Sequence, residues 1–313
     1  MTVKTVAYSS PFVPAEWIAA HGLEPWQVIP QASHIAAPVC GGAGVCPFAH
    51  DFLAEIMAAK SPGTAVPGLE VDYVAAVFTS TCDQMRRLAE LASQSLSTFL
   101  MHVPAMWQTA ESENFYAAEL QRLSQFLVQL GGEKPSHDHL VKTMLEYDAS
   151  RVATSLRGVA RAEGQRLALI GGPLRQQDQW IFQHIQNCGG QIVLDATETG
   201  ERCLPAVYDE AAVRNDPMRE LVRAYFKSIP DVFRRPDTML QEYLQREIKA
   251  RRVQGVLLIR CIWCDLWHAQ LGRLKELLNI PVVEIDFGQD DRNLQRNQTR
   301  IDSLLEIAGG GGR

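Results

Sequence analysis

Three cysteines in this sequence stand where a folded chain could bring them to one site. Cys46 follows a glycine-rich stretch, while Cys82 and Cys264 each follow an apolar, strand-like run and precede an aspartate. Open α/β sheets bind their ligands at the carboxyl ends of the strands, so we expect the three thiols to lie close together.

The thiolates of such a site are soft ligands, which suit an iron–sulfur cluster or zinc. Zinc usually takes closely spaced pairs, and only Cys261-x2-Cys264 has that spacing. An isolated cysteine can also be a small buried apolar residue, which is what we predict for Cys188 at the end of an amphipathic helix. Spacing alone leaves these interpretations open for Cys46, Cys82 and Cys264.

The composition is that of a folded intracellular protein. The 313 residues are 46% hydrophobic and 21% charged, and the formal net charge of −6 gives no reason to expect nucleic acid or a membrane as a partner. The N-terminus has no basic segment followed by an apolar core, and no apolar run reaches the roughly 18 residues that cross a bilayer. We therefore expect a cytoplasmic location, where seven cysteines indicate thiolate chemistry rather than a disulfide framework.

Apolar runs alternate with helical stripes along the chain, which predicts strand–helix–strand units and parallel sheets. The predicted strands are residues 71–78, 99–103, 166–173, 191–195, 255–259 and 281–286. The predicted helices are residues 85–96, 115–130, 144–159, 180–188 and 269–278. The predicted fold class is α/β, with two Rossmann-like or flavodoxin-like domains whose parallel sheets are flanked by helices. We place an N-terminal domain with a helical part at 1–160, a C-terminal domain at 161–313, and the site in the cleft between them.

Glycines near the predicted strand ends do not make a nucleotide site. No Gly-Lys-Ser/Thr follows residues 41–44, and Gly171-Gly172 lacks the third glycine of the dinucleotide fingerprint. Tight turns and close backbone approach explain both stretches. His34, just before the first stretch, is a candidate proton donor, although a lone histidine is more often structural.

Several segments, in the same order along the chain, resemble the iron–sulfur subunits of the 2-hydroxyacyl-CoA dehydratase and benzoyl-CoA reductase family. Three of them contain the cysteines discussed above: Cys46-Pro47-Phe48-Ala49, Thr81-Cys82-Asp83 and Trp263-Cys264-Asp265. The others are residues 8–16, 20–25, 170–174, 199–202 and 298–301. The resemblance covers nearly the whole chain.

The resemblance implies that Cys46, Cys82 and Cys264 each give one thiolate to a [4Fe–4S] cluster. It implies single-electron transfer to an acyl-CoA substrate, in a dimer with a homologous subunit or a second copy of the chain. In this family the electron comes from a separate ATP-hydrolysing iron–sulfur activator, which fits a sequence that has no P-loop motif.

Two features depart from the family pattern. The chain is shorter than most family subunits, and Pro30-Gln31 stands where Pro-Glu is expected. Ser10 matches a serine that dehydratase members use in proton chemistry, but glutamine cannot act as a general acid or base. We therefore favour a benzoyl-CoA reductase-like oxidoreductase over a 2-hydroxyacyl-CoA dehydratase-like lyase, with Ser10 and His34 as the catalytic candidates.

Two further interpretations stay open. A double-cubane [8Fe–9S] reductase needs more thiolates, so Cys40 or Cys261 would join the three ligands. A non-catalytic, cluster-carrying scaffold subunit is compatible with the short chain and the missing glutamate.

Overall fold

A computed structural model describes residues 4–31, 44–58, 73–157, 164–288 and 293–310 of the chain. These residues form two four-stranded sheets flanked by helices, and every strand pairing within the sheets is parallel. The predicted α/β class, with two parallel sheets, is confirmed. None of the helices in these ranges is long and apolar enough to cross a lipid bilayer.

The first half of the chain contains one sheet and five helices among its described residues. Its strands are β1 Thr5–Tyr8, β2 Glu24–Gln27, β3 Tyr73–Thr79 and β4 Ser97–Met101. Its helices are α1 Ala15–Ala20, α2 Pro47–Ala58, α3 Asp83–Ala92, α4 Ala110–Gln129 and α5 His137–Arg157.

The second half repeats the pattern with more helices. Its strands are β5 Gln165–Gly171, β6 Gly190–Ala196, β7 Gly255–Cys261 and β8 Val282–Phe287. Its α-helices are α6 Trp180–Asn187, α7 Glu210–Asn215, α8 Pro217–Val222, α9 Thr238–Ala250, α10 Asp265–His268, α11 Gln270–Leu278 and α12 Leu294–Gly310. Shorter turns of 3₁₀-helix, Gln176–Gln179 and Glu201–Cys203, and of π-helix, Arg223–Lys227, join some of these elements.

The two sheets have the same strand order. The first is β2-β1-β3-β4 and the second is β6-β5-β7-β8, which is the flavodoxin-like arrangement. In this order the connections diverge between β1 and β3, and again between β5 and β7. Each sheet therefore has one topological switch point, where open α/β sheets form their ligand crevice.

Apolar side chains on both faces of each strand explain why the sheets are buried. In β3, Ala75 and Val77 face the core shared with α1 and α4, while Ala76 and Phe78 face the core shared with α2 and α3. In β5, the alternation places Leu167, Leu169 on one face and Ala168, Ile170 on the other. The near-continuous apolar runs that predicted these strands are thus the signature of two-sided packing.

The end of β5 requires a glycine. Gly171 has a φ of +152°, and a Cβ atom there would lie 1.8 Å from the carbonyl oxygen of Ile259 in β7. Any side chain would push apart the two central strands of the second sheet. This close approach places the following Gly172-Pro173 turn at the switch point.

The chain after β6 returns to the first half. Side chains between Cys203 and Phe233 share a hydrophobic core with β1, α1 and α4. Arg234 is fully buried there, with its guanidinium over the rings of Phe226 (4.4 Å) and Phe12 (4.7 Å). The domain boundary near residue 160 stays a prediction. The helical segment at 203–233 belongs to the second half of the chain but packs against the first half.

Arg175 makes a second connection between the halves. Its buried guanidinium bonds Asp178 of its own turn, with Nε 2.9 Å from Oδ2, and the main-chain oxygen of Gly288 at 2.8 Å. It also donates to Oδ2 of Asp51 in α2 at 3.0 Å. An ion pair between buried groups needs these several bonds to offset desolvation, so its geometry holds α2 against the loop after β5.

Candidate metal centre

A small cavity lies where the switch points of the two sheets face each other. The segments that follow β1, β3, β5 and β7 all contribute to its wall, through Ser10, Cys82, Gly172 and Cys264 respectively. The free space within the described wall is about 80 Å³. Sites for drug-sized organic ligands run to roughly 300–1,000 Å³, so this space suits a compact inorganic group better than an acyl chain.

The three cysteines predicted to share a site line this cavity together. Cys46 and Cys82 come from the first half and Cys264 from the second, and all three are half-buried. The chain therefore brings thiols that are up to 218 positions apart in sequence to one space between the halves.

Each of the three cysteines immediately precedes a helix. Cys46 stands before α2, Cys82 before α3 and Cys264 before α10. Main-chain amides in the first turn of each helix lower the pKa of the preceding thiol. The side chains of Cys82 and Cys264, however, do not form a capping hydrogen bond to their helices. Helix N-termini favour negative charge, so those of α2 and α3 favour thiolates in this space.

The surroundings nevertheless give the three thiols different pKa values. The pKa of Cys46 is lowered to about 7, chiefly because the Cys261 thiol hydrogen-bonds to its sulfur. Burial raises the pKa of Cys82 to about 11 and that of Cys264 to about 12. A metal that binds all three must displace protons from the last two, as thiolate ligation generally does.

Cys261 adds a fourth thiol to the cavity. It is the last residue of β7, is 3% exposed, and packs beside Cys46. The amide of Cys264 donates to the Cys261 carbonyl at 3.1 Å, and Trp263 between them has a φ of +70°. A left-handed tryptophan is a strained conformation of the kind that clusters at functional sites, and here it sets the path between the two cysteines.

Two groups suited to proton chemistry also line the cavity. Ser10 is buried, and its Oγ accepts from the amide of Phe12 at 3.3 Å. Glu198, two residues after β6, has its pKa raised to about 8 by burial and then by the charge of Asp231, against the opposing effect of Arg202. Arg202 is itself buried, with Nη1 3.1 Å from Asp231 Oδ2.

Glu198 is the residue that the sequence did not predict. It directly precedes the Thr199-Gly200-Glu201-Arg202 segment, and a carboxylate shortly after a strand was the available signal. His34, the other catalytic candidate, lies outside the described residues, as does Cys40. Gln31 is exposed, and its main-chain amide donates to Glu55 Oε2 at 3.3 Å.

The prediction for Cys188 is wrong. It is exposed rather than buried, because Ile181 and Ile185 fill the apolar face of α6 and Cys188 lies past its end. Its sulfur instead contacts His184 and Asp302.

Comparison with known families identifies the relatives of this chain. The family model described as 2-hydroxyglutaryl-CoA dehydratase, D-component (HGD-D), matches residues 11–155 and 151–308. The chain belongs to this family. The resemblance to 2-hydroxyacyl-CoA dehydratases is thereby confirmed, and the protein is a component of the dehydratase type.

Other comparisons add little to the HGD-D assignment. No curated protein matches the chain. Among solved structures, the substrate-binding protein FpvC of P. aeruginosa, solved with Ni²⁺, is 10% identical with a TM-score of 0.28, covering 100% of this chain and 99% of that one. The laminin-binding protein Lbp of Streptococcus pyogenes is 10% identical with a TM-score of 0.25, covering 98% and 100%. Likenesses this weak carry no argument about this chain.

Proposed function

We propose that this HGD-D family chain carries a [4Fe–4S] cluster on Cys46, Cys82 and Cys264 and passes single electrons from it to an acyl-CoA thioester. The observation that carries the proposal is the convergence of these three cysteines on one small cavity between the sheets. When bound, such a cluster supplies low-potential electrons.

The donor set fits a cluster better than a single ion. Thiolates of a cubane bind different iron atoms, so they surround a volume instead of one point, as the cysteines here surround the cavity. The N-termini of α2 and α3 and the charge of Arg175, which lowers the pKa of Cys46, favour an anionic group. Cys261 would then donate its S–H to a ligand sulfur, an interaction that tunes cluster potential.

Glu198 supports the dehydratase type of chemistry. The glutamate expected after Pro30 is replaced by Gln31, but Glu198 brings a titratable carboxyl to the wall of the cavity that Ser10 also lines. A group whose pKa lies near the working pH can hold or release a proton during turnover. Gln31 favours the second candidate, a benzoyl-CoA reductase-like activity, in which the substrate is reduced without loss of a hydroxyl group.

The cavity also indicates where partners would act. Its free space is too small for an acyl-CoA, so the thioester would approach from outside the described wall. We propose that a homologous subunit or a second copy completes that pocket, burying more than the roughly 1,600 Å² of a standard interface. The electron donor in this proposal is a separate ATP-hydrolysing iron–sulfur protein.

The ligand assignment is tested by iron and sulfide content under anaerobic conditions. We expect about four irons per chain in the wild type, and loss of the cluster and of its electron paramagnetic resonance signal in Cys46→Ala, Cys82→Ala and Cys264→Ala. Cys188→Ala is the matched control and should keep its iron. About eight irons would favour the double-cubane form, with Cys40 or Cys261 as a further ligand. Zinc in place of iron, or a Cys82→Ala variant that keeps the cluster, would contradict the proposal.

The reaction is tested by anaerobic turnover of acyl-CoA substrates with a strong reductant, with and without ATP and a candidate activator. Dependence on both supports the proposed electron supply, and the product distinguishes dehydration from reduction. Full activity with a nicotinamide donor alone would contradict the proposed ATP-hydrolysing electron donor. Full activity from a strictly monomeric species would contradict the proposed dimer.

A further inference from the structure

A second group of metal-ligating side chains lies at the opposite end of the second sheet from the cavity. Cys188 caps the C-terminus of α6, just before β6 begins, and His184 stands one turn earlier on the same face of that helix. Asp302 projects from α12. These residues have no part in the site described above.

The three ligand atoms lie within reach of a single ion. His184 Nε2 is 2.9 Å from Asp302 Oδ1, and the Cys188 sulfur is 3.5 Å from that oxygen and 3.9 Å from that nitrogen. Zinc bonds of about 2.3 Å to sulfur and about 2.0–2.1 Å to nitrogen and oxygen, in tetrahedral geometry, put ligand atoms roughly 3.3–3.6 Å apart. Each observed separation is thus within about 0.4 Å of that geometry, a change that side-chain rotation supplies.

The helices that carry these ligands are held rigidly against each other. Ile181 and Ile185 of α6 share a buried core with Ile301, Leu304 and Leu305 of α12. The ring of Trp180 also packs edge-on against His184, with centroids 5.8 Å apart. Ligands on packed helices keep their spacing without a metal, which lowers the entropic cost of binding one.

The exposure of the group fits metal binding better than catalysis by a cysteine nucleophile. Asp302 Oδ1 accepts from both the imidazole and the thiol, so the three atoms converge on one another rather than on a substrate cleft. The Cys188 thiol is exposed and Asp302 is about half exposed, which leaves an ion accessible from solvent. One sulfur, one nitrogen and one oxygen are a donor set that zinc accepts with a fourth position left over.

We propose that His184, Cys188 and Asp302 bind Zn²⁺ and thereby join α6 to α12, with water or a group from another molecule in the fourth position. The site does not depend on the function proposed for the cavity. Because the ion binds the folded arrangement of the two helices, it stabilises the native state by mass action.

The test must separate this site from the cavity thiols, which are also zinc ligands. Zn²⁺ binding is measured by equilibrium dialysis of the anaerobically purified protein and of the variants Cys188→Ser and Asp302→Asn, so that the binding lost in the variants is assigned to this site. Removing a residue that hydrogen-bonds to a metal ligand weakens metal binding roughly 10–100-fold. Removing a ligand itself should therefore weaken Zn²⁺ binding at least about 100-fold. Ser303→Ala, next to Asp302 but exposed and outside the group, is the control expected to bind as the wild type does.

Co²⁺ gives a second measurement that identifies the sulfur. In a Cys82→Ala background, which alters the cavity, we expect a thiolate-to-Co²⁺ charge-transfer band that disappears on adding Cys188→Ser. A band that survives Cys188→Ser would place the metal elsewhere. Equal zinc affinity of Cys188→Ser and the wild type, or no zinc binding by the wild type, would overturn the inference.

Discussion

The four cavity cysteines differ in reactivity because each sulfur has different surroundings. In metal-free protein at pH 7.5 Cys46, with a pKa of about 7, is largely thiolate, whereas Cys82 and Cys264, at about 11 and 12, are protonated. We expect iodoacetamide to modify Cys46 first, at a rate that rises with pH through about 7, because the thiolate is the nucleophile. Peptide mass spectrometry after brief labelling measures the order.

The Cys261 thiol is the chief cause of the lowered Cys46 pKa, so a Cys261 variant is the control for the labelling experiment. Cys261→Ala removes the hydrogen bond that lowers the Cys46 pKa, so labelling of Cys46 at pH 7.5 should slow and its pH midpoint should rise. Equal labelling of Cys46 and Cys82 in the wild type would contradict the assigned surroundings.

Glu198 should impose a pH limit on turnover. If it donates a proton, its active form is the protonated one, and that form is lost as pH rises through about 8. We expect Glu198→Gln to lower turnover roughly 10²–10⁴-fold, as loss of a general acid does, and to abolish the alkaline limb. Glu198→Asp should keep part of the activity and the limb, and unchanged iron content in both variants shows that the site is intact. A wild-type pH profile in the Gln variant would remove Glu198 from the chemistry.

At the residue scale, what could be predicted depended on sequence context. Cys82 and Cys264 each follow an apolar strand, so their place at a sheet edge follows from the amino-acid pattern alone. Glu198 could not be predicted, since a glutamate in a loop is ordinarily solvated, whereas burial and then the charge of Asp231, which is distant in sequence, raise the pKa of this one. The prediction for Cys188 fails because the apolar stripe of α6 ends at Ile185, short of the helix end.

At the scale of elements, the turn between β7 and α10 stores strain at Trp263. The left-handed backbone conformation costs any residue with a side chain roughly 1–2 kcal/mol. Glycine adopts this conformation without strain, but it loses about 0.5–1 kcal/mol more conformational entropy on folding. The indole is 53% exposed, so little packing opposes its removal. We expect Trp263→Gly to exceed Trp263→Ala in free energy of unfolding by roughly 0.5–1 kcal/mol, measured by denaturant titration. An alanine variant as stable as the glycine one would mean that the turn relaxes.

Buried parallel strands were the most predictable elements. β3, β5 and β7 follow from near-continuous apolar runs and β8 from a run that Glu284 interrupts, with ends within two residues of those expected among the described residues. β1 was not predicted because four residues are too short to show a period, although its pairing with β3 builds the first switch point. Helices α7 and α8 were also missed, and their apolar side chains pack on the other half of the molecule. Helix α9 was missed as well, although its Leu240, Leu244 and Ile248 pack on the second sheet.

At the scale of the whole molecule, we expect the loss of Arg175 to lower the free energy of unfolding substantially, because its guanidinium connects the two halves. Arg175→Gln leaves the buried carboxylates of Asp51 and Asp178 without this cation, and breaking a buried pair in this way typically costs about 3–5 kcal/mol. Arg87→Gln is the matched control, since its pair with Glu90 is exposed and should contribute less than about 1 kcal/mol. The free energies of unfolding of the two variants are measured by chemical denaturation. Equal losses would show that Arg175 does not hold the halves together.

The division of the cavity wall between two sheets has a mechanical consequence. Cys46 and Cys82 move with one half and Cys264 with the other, so a hinge motion between the sheets changes the distances across the cavity and leaves those within each half unchanged. A rigid group bonded to all three would act as a lock on that hinge. Loss of such a group, for example through oxidation by air, would then release the hinge.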